Sequence, residues 1–170
     1  QEQTDEGLAI TIVGQPDLKT GWLSNISIMA DSSQRWWNPD AKEYPVDVTM
    51  DQTIRFTNSA DGLKLAYALC VTGPPLVKAA NWLSHLEYDW QSPVWRHWFR
   101  FLASGSTLLR YDARGCGLSD WSASDFSLDA QVADLEAVVD AAGVTGFPLL
   151  GLSQGGSVAI EYACRHPDKV

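Results

Sequence analysis

The chain is poor in basic residues, in cysteine and in long apolar runs, and each shortage removes a class of function. Lys and Arg number 12 against 21 Asp and Glu, a formal charge of −9. Such a surface repels polyanions, so neither nucleic acid nor an anionic membrane is an expected partner. No apolar run approaches the ~20 residues that a membrane-spanning helix needs. The three cysteines, Cys70, Cys116 and Cys164, are odd in number and lack metal-ligand spacing, so no metal or other cofactor is expected. A reducing cytoplasm is the simplest location. The chain begins at Gln1 without a charged-then-apolar leader, and we expect its native N-terminus to lie upstream.

What the chain has is core material. Its 170 residues are 45% hydrophobic and 19% charged, the size of one domain with an apolar interior. The stretch that organises it is Gly151-Leu152-Ser153-Gln154-Gly155-Gly156. A mostly apolar run, Phe147 to Leu152, reads as a strand buried on both faces. A helix should follow from Gln154 to His166, stopped by Pro167. A serine at such a turn is held in a strained backbone that lifts its hydroxyl above the sheet, and Gly151 and Gly155 make room for the bend. The turn aims the N–H of Gln154, at the positive end of the helix dipole, where an oxyanion would form. A phosphate-binding turn is the competing interpretation. The second glycine of G-x-G-x-x-G is absent, however, and no G-K-[ST] follows.

Upstream, residues 1–51 read as an extension or linker carrying no chemistry. Leu8 to Val13 and Asn25 to Met29 are candidate strands around a turn at Gly14-Gln15-Pro16-Asp17, and Trp36-Trp37-Asn38-Pro39 is either a docking patch or an irregular loop. From residue 52 the pattern is that of an α/β domain. Ile54 to Thr57 and Leu63 to Val71 form a hairpin across Asp61-Gly62. Leu76 to Ala80 is a short buried strand, and Thr107 to Tyr111 another. Between them lie four of the eight tryptophans, Trp82, Trp90, Trp95 and Trp98. We expect most of these rings to pack in the core, and a helix to start near Pro93 with Val94, Trp98 and Phe101 or Leu102 on its inner face. The loop from Asn81 to Trp90 should lie above the strand ends and line an apolar pocket. Ser127 caps a helix from Leu128 to about Ala142, closed by Gly143. Its apolar stripe is Leu128, Val132, Leu135 and Val139, while Asp129, Asp134, Glu136 and Asp140 face solvent.

The turn at Ser153, together with Asp112-Ala113-Arg114-Gly115-Cys116-Gly117-Leu118-Ser119, resembles the α/β-hydrolase family, in which D-x-R-G-x-G-x-S follows the fourth strand. The resemblance covers about Thr53 to Val170. It implies the N-terminal half of a doubly wound, mostly parallel sheet that starts with an antiparallel hairpin. Asp112 and Arg114 are expected to brace their loop. The implied chemistry is cofactor-free acyl transfer from a small apolar ester, lactone or similar substrate: Ser153 the nucleophile, the N–H groups of Gln154 and Trp82 the oxyanion hole. Where the family has His-Gly before the second donor, this chain has Ala80-Asn81. Serine rather than aspartate at residue 153 argues against dehalogenase or epoxide-hydrolase chemistry, whereas cofactor-free haloperoxidases share the serine.

The family orders its triad Ser, Asp or Glu, His. After Ser153 come Glu161, His166 and Asp168. His166 falls on the order of 20 Å along the helix from Ser153, and Asp168 follows it in the wrong order. His97 belongs to the helix after Pro93, and His85 reads as an ordinary loop histidine. We therefore expect the triad acid and base beyond Val170, and a fragment that is inactive alone. Asn81-Trp82-Leu83-Ser84-His85-Leu86-Glu87 and Arg110-Tyr111-Asp112 through Asp120-Trp121 resemble a subgroup joined to adenylate-cyclase or transcription-regulator domains. That subgroup implies a second possibility, a ligand-binding sensory module with little turnover. A nucleotide-binding domain, the third, lacks its phosphate motif.

Overall fold

The computed structural model describes residues 51–170 in full and, ahead of them, the backbone of two strands, β1 (Thr11–Pro16) and β2 (Leu23–Met29). The chain divides into two compact units, Gln1–Pro45 and Val46–Val170. In the first, β1 and β2 pair antiparallel, with a register break between Val13 and Gln15. The turn expected at Gly14 to Asp17 is thus corrected: the strand continues through Gly14 to Pro16, the glycine falling at the irregularity and the proline at the strand's end. Trp36 to Pro39 lies outside the described residues.

The second unit is built on a five-stranded mixed sheet. Its strands are β3 (Thr53–Asn58), β4 (Lys64–Cys70), β5 (Pro75–Lys78), β6 (Thr107–Tyr111) and β7 (Leu149–Leu150), in the order β3-β4-β6-β5-β7. β4 runs antiparallel to both β3 and β6, whereas β5 is parallel to both β6 and β7. An antiparallel start therefore passes into a parallel region, as doubly wound topology requires.

Period-2 alternation assigns the two faces. Leu65, Tyr67, Leu69, Val77, Leu109 and Tyr111 point to one side. There they meet Val132, Leu135 and Val139 of α3 (Leu128–Ala142) and Val158 and Tyr162 of α4 (Gln154–Arg165). Cys70, Leu76 and Leu108 point to the other side, against Trp90 of α1 (Leu86–Gln91) and Phe99 and Ala103 of α2 (Arg96–Gly105). Truncating a fully buried side chain such as Leu65 or Leu109 to alanine costs about 2–5 kcal/mol. α3 has the expected caps: the Ser127 hydroxyl accepts from the Ala130 N–H, and Gly143 closes the helix in the left-handed region.

The tryptophan-rich stretch departs from expectation. His85 caps a six-residue helix, α1, where a loop was expected, and α2 begins at Arg96, three residues after Pro93. Phe99 and Ala103, one turn apart, turn inward, and Val94, Trp98 and Phe101 are exposed. The sequence there is apolar on both sides of the helix, so its period alone does not choose the buried face. Of the four tryptophans only Trp90 is buried; Trp82, Trp95 and Trp98 are exposed.

Two further corrections concern α3. Leu128 is exposed, and Asp134, expected on the solvent side, is 1% exposed. The cause is Arg114, whose guanidinium grips both Asp134 oxygens at 2.7 Å and reaches Asp61 at 2.9 Å. Burial pushes the Asp134 carboxyl up, against the pull of Arg114. Asp112 is fully buried and accepts from the N–H groups of Leu86 and Leu118. Asp112 and Arg114 therefore brace the loop between β6 and α3, as the sequence suggested.

Candidate functional site

Ser153 stands between β7 and α4 as the helix N-cap, with φ 53° and ψ −125°. Only Leu83 and Ser153 among the described non-glycine residues have a positive φ. Such a conformation costs on the order of 1–3 kcal/mol and persists only where the surroundings impose it. Here the surroundings are visible. A methyl group on Gly151 would lie 2.7 Å from the Gly155 carbonyl oxygen and 2.8 Å from the Ala159 side chain. One on Gly155 would lie 2.7 Å from the carbonyl oxygen of Ala80. The first turn of α4 is pressed against β7 on one side and against the end of the β5 segment on the other.

That contact joins two segments distant in sequence. Ala80 leads into Asn81, Trp82 and Leu83, so the two strained residues lie on either side of the meeting of Gly155 with Ala80. The Ser153 hydroxyl is exposed and makes no capping bond to its own helix. The N–H groups of Gln154 and Trp82 find no backbone acceptor among the described residues. Trp82 is 69% exposed. Chemically, a serine oxygen can add to an acyl carbon, and an unpartnered amide N–H can receive an oxyanion.

Residues 85–170 match the family model of the alpha/beta hydrolase fold. The chain belongs to that family. The AB hydrolase superfamily protein YisY of Bacillus subtilis is 30% identical over 96 residues, 55% of this chain and 33% of its own length. Epoxide hydrolase 4 of Mus musculus is 30% identical over 112 residues, 64% of this chain and 30% of its own. Among solved structures, the esterase RhEst1 from Rhodococcus sp. ECU1013 superposes with a TM-score of 0.55 at 34% identity, covering 68% of this chain and 42% of that one. The chain spans about a third of the length of these curated relatives.

Within this alpha/beta hydrolase unit the histidines have other partners. The His85 Nδ1 accepts from the Tyr88 N–H at 3.4 Å, and its ring packs on Tyr88. His166 ends α4, with Nε2 2.7 Å from a Glu136 oxygen and its ring against Tyr162. His97 lies in α2. The remaining acids of α3 and α4 are engaged as well: Arg165 with Asp129 and Glu161, Lys169 with Asp140. No group of three or more His, Cys, Asp or Glu among the described residues could hold a metal. No described helix is long and apolar enough to cross a membrane.

Sequence reasoning missed one residue at this end of the sheet. Lys78, the last residue of β5, is only 5% exposed. Burial, then the neighbouring Arg110, holds its ammonium well below the usual lysine range, at about 8. The available signal was a lysine inside the apolar run Leu76 to Ala80, where a period-2 strand faces protein on both sides. Beside it opens a cavity of about 210 Å³ lined by Lys78, Asn81, Trp82, Leu83, Asp89, Trp95 and Phe99. The pocket expected from this stretch thus has aromatic walls, but its sheet end is charged.

Proposed function

We propose that the protein is a serine hydrolase acting on an ester, lactone or similar small acyl substrate. Ser153 attacks the acyl carbon, and the tetrahedral oxyanion is received by the N–H groups of Gln154 and Trp82. The observation that carries this reading is the φ of 53° at Ser153, held by glycine contacts on both flanks. A residue with no task there has no reason to keep that strain. Relatives named as an esterase and an epoxide hydrolase support hydrolysis in general, and the serine favours the acyl route. The reading requires a general base and its acid partner from outside the described residues, because His85 and His166 are committed to α1 and to Glu136.

The test is a serine-directed fluorophosphonate applied to the intact protein, with the adduct located by peptide mass. Labelling at Ser153, lost in Ser153→Ala, is the expected outcome. An intact, folded protein that stays unlabelled sinks the hydrolase reading.

One observation favours a second reading, a ligand-binding sensory module with little turnover. Asn81, where the family has glycine, is tied by its side chain to Lys78 and to the Trp82 carbonyl. A loop pinned in this way suits holding a ligand. Tight binding of a small apolar ligand, with no steady ester turnover and no labelling, would select this reading.

A further inference from the structure

β5 ends on one buried cation, Lys78, and β6 carries another, Arg110, one residue before its end. Lys78 and Arg110 are direct partners in the parallel ladder, and both point to the α1/α2 side of the sheet. Arg110 is accommodated: its guanidinium donates to Gln52 and to the Leu86 carbonyl and lies 4.0 Å from the centre of the Phe99 ring. Lys78 is not. Its Nζ donates to the Ala79 carbonyl and to the Asn81 side chain, which leaves the third of its three N–H donors without an acceptor among the described residues. No described carboxylate forms an ion pair with it. A buried ammonium beside a second cation is costly unless something of opposite charge meets it.

Asp89 and Asp112 attract the ammonium through space, but neither forms an ion pair with it. Asp112 spends one oxygen on the N–H groups of Leu86 and Leu118, and burial pushes its carboxyl up toward the neutral form. Asp89, on α1, lines the same cavity, but its Oδ2 accepts from the His85 N–H at 3.2 Å. The cavity is thus positive at the sheet and negative at α1, with Trp82, Trp95 and Phe99 among its walls. A ligand entering it is oriented, its acid end toward the sheet.

We propose that this cavity is a subsite for a substrate-borne carboxylate, which Lys78 receives while the aromatic walls take an apolar or aryl body. The inference rests on the hydrolase reading for its substrate class, esters and lactones that carry a second, free acid group. The link between the two sites is Trp82, which lines the cavity and is the residue that the hydrolase reading takes as its second oxyanion donor. The overall charge of −9 repels anions in general, so selectivity for an acid here has to come from these two local cations.

The test is calorimetric titration of the intact protein with phenylacetate, with its neutral isostere phenylacetamide and with inorganic phosphate, repeated on Lys78→Met and on Ser153→Ala. Methionine keeps the length and apolar stem of lysine, so the variant should stay folded, which circular dichroism checks. Wild type is expected to bind phenylacetate about tenfold or more tighter than the amide. Lys78→Met should erase that preference, and Ser153→Ala should retain it. Equal binding of acid and amide, no binding of either, a preference that survives Lys78→Met, or phosphate binding as well as phenylacetate would each overturn the proposal. Fluorophosphonate labelling separates the two readings. Labelling without acid preference removes the subsite alone, and acid preference without labelling removes the hydrolase reading and leaves an acid-binding pocket.

Discussion

Gly155 meets Ala80 backbone to backbone. A methyl group on the glycine would sit 2.7 Å from the Ala80 carbonyl oxygen and 3.1 Å from that of Ala79, and neither oxygen can swing aside as a side chain would. Gly155→Ala should therefore cost about 1–3 kcal/mol or prevent folding. Gly156→Ala is the control. Its methyl would meet nothing within 4 Å, so alanine should stabilise α4 by about 0.5–1 kcal/mol. Urea midpoints for the two variants should move in opposite directions.

Ser153 sets function against stability. Its φ of 53° is one that glycine adopts freely. Ser153→Gly should relieve about 1–3 kcal/mol of strain and give back roughly 0.5–1 kcal/mol in unfolded-chain entropy. The net is a variant about 1 kcal/mol more stable, read as a higher urea midpoint, that no longer takes a fluorophosphonate. A Ser153→Gly protein no more stable than wild type would show that the turn stores no strain.

Much of this fold was legible because its signals are local. Thr107 to Tyr111 is a strand as expected, since it is apolar and closed by the Asp112 turn. α3 lies between Ser127 and Gly143 because a cap is a single residue with a single backbone task. The turn at Ser153 was legible for the same reason, three residues of it being fixed by sterics. What the sequence hid depends on partners far along the chain. Asp134 looks like a surface acid until Arg114, 20 residues away, covers it. The inner face of α2 is chosen by Leu108 and Cys70, not by its own period. α1 is too short for periodicity to register, and although Lys78 interrupts an apolar run, its pairing with Arg110 is visible only in the sheet.

Lys78 also makes stability depend on pH in a predictable direction. Burial and Arg110 depress its folded value to about 8, against 10.5 in a model peptide, with Asp89 and Asp112 opposing. Between those values the unfolded chain binds the proton that the folded chain has released, so stability should rise with pH across that window. The gain is on the order of 1–3 kcal/mol. Tyr162 and Cys70, both pushed up by burial, act in the opposite sense at the alkaline end, which is why the comparison is with Lys78→Met. Wild-type stability minus that of the variant, from urea melts at pH 7 to 10, should climb as pH rises. A flat difference would mean that the ammonium is better solvated than its 5% exposure suggests.

Trp82 offers a way to separate a backbone role from a side-chain one. If the residue serves through its N–H, its indole is dispensable for reaction at Ser153 and its amide is not. Trp82→Ala keeps the N–H, and because the side chain is 69% exposed the substitution should leave folding intact and fluorophosphonate labelling close to wild type. Trp82→Pro removes the donor, and losing one such hydrogen bond to a developing oxyanion typically costs on the order of 10²–10³ in rate. Proline also restricts Asn81 before it, so both variants must first show wild-type circular dichroism and urea midpoints. With folding matched, a labelling rate at least ~100-fold lower for Trp82→Pro than for Trp82→Ala assigns the oxyanion donor to the backbone. Equal rates would move the second donor elsewhere on the loop and leave Gln154 as the one amide that the turn itself supplies.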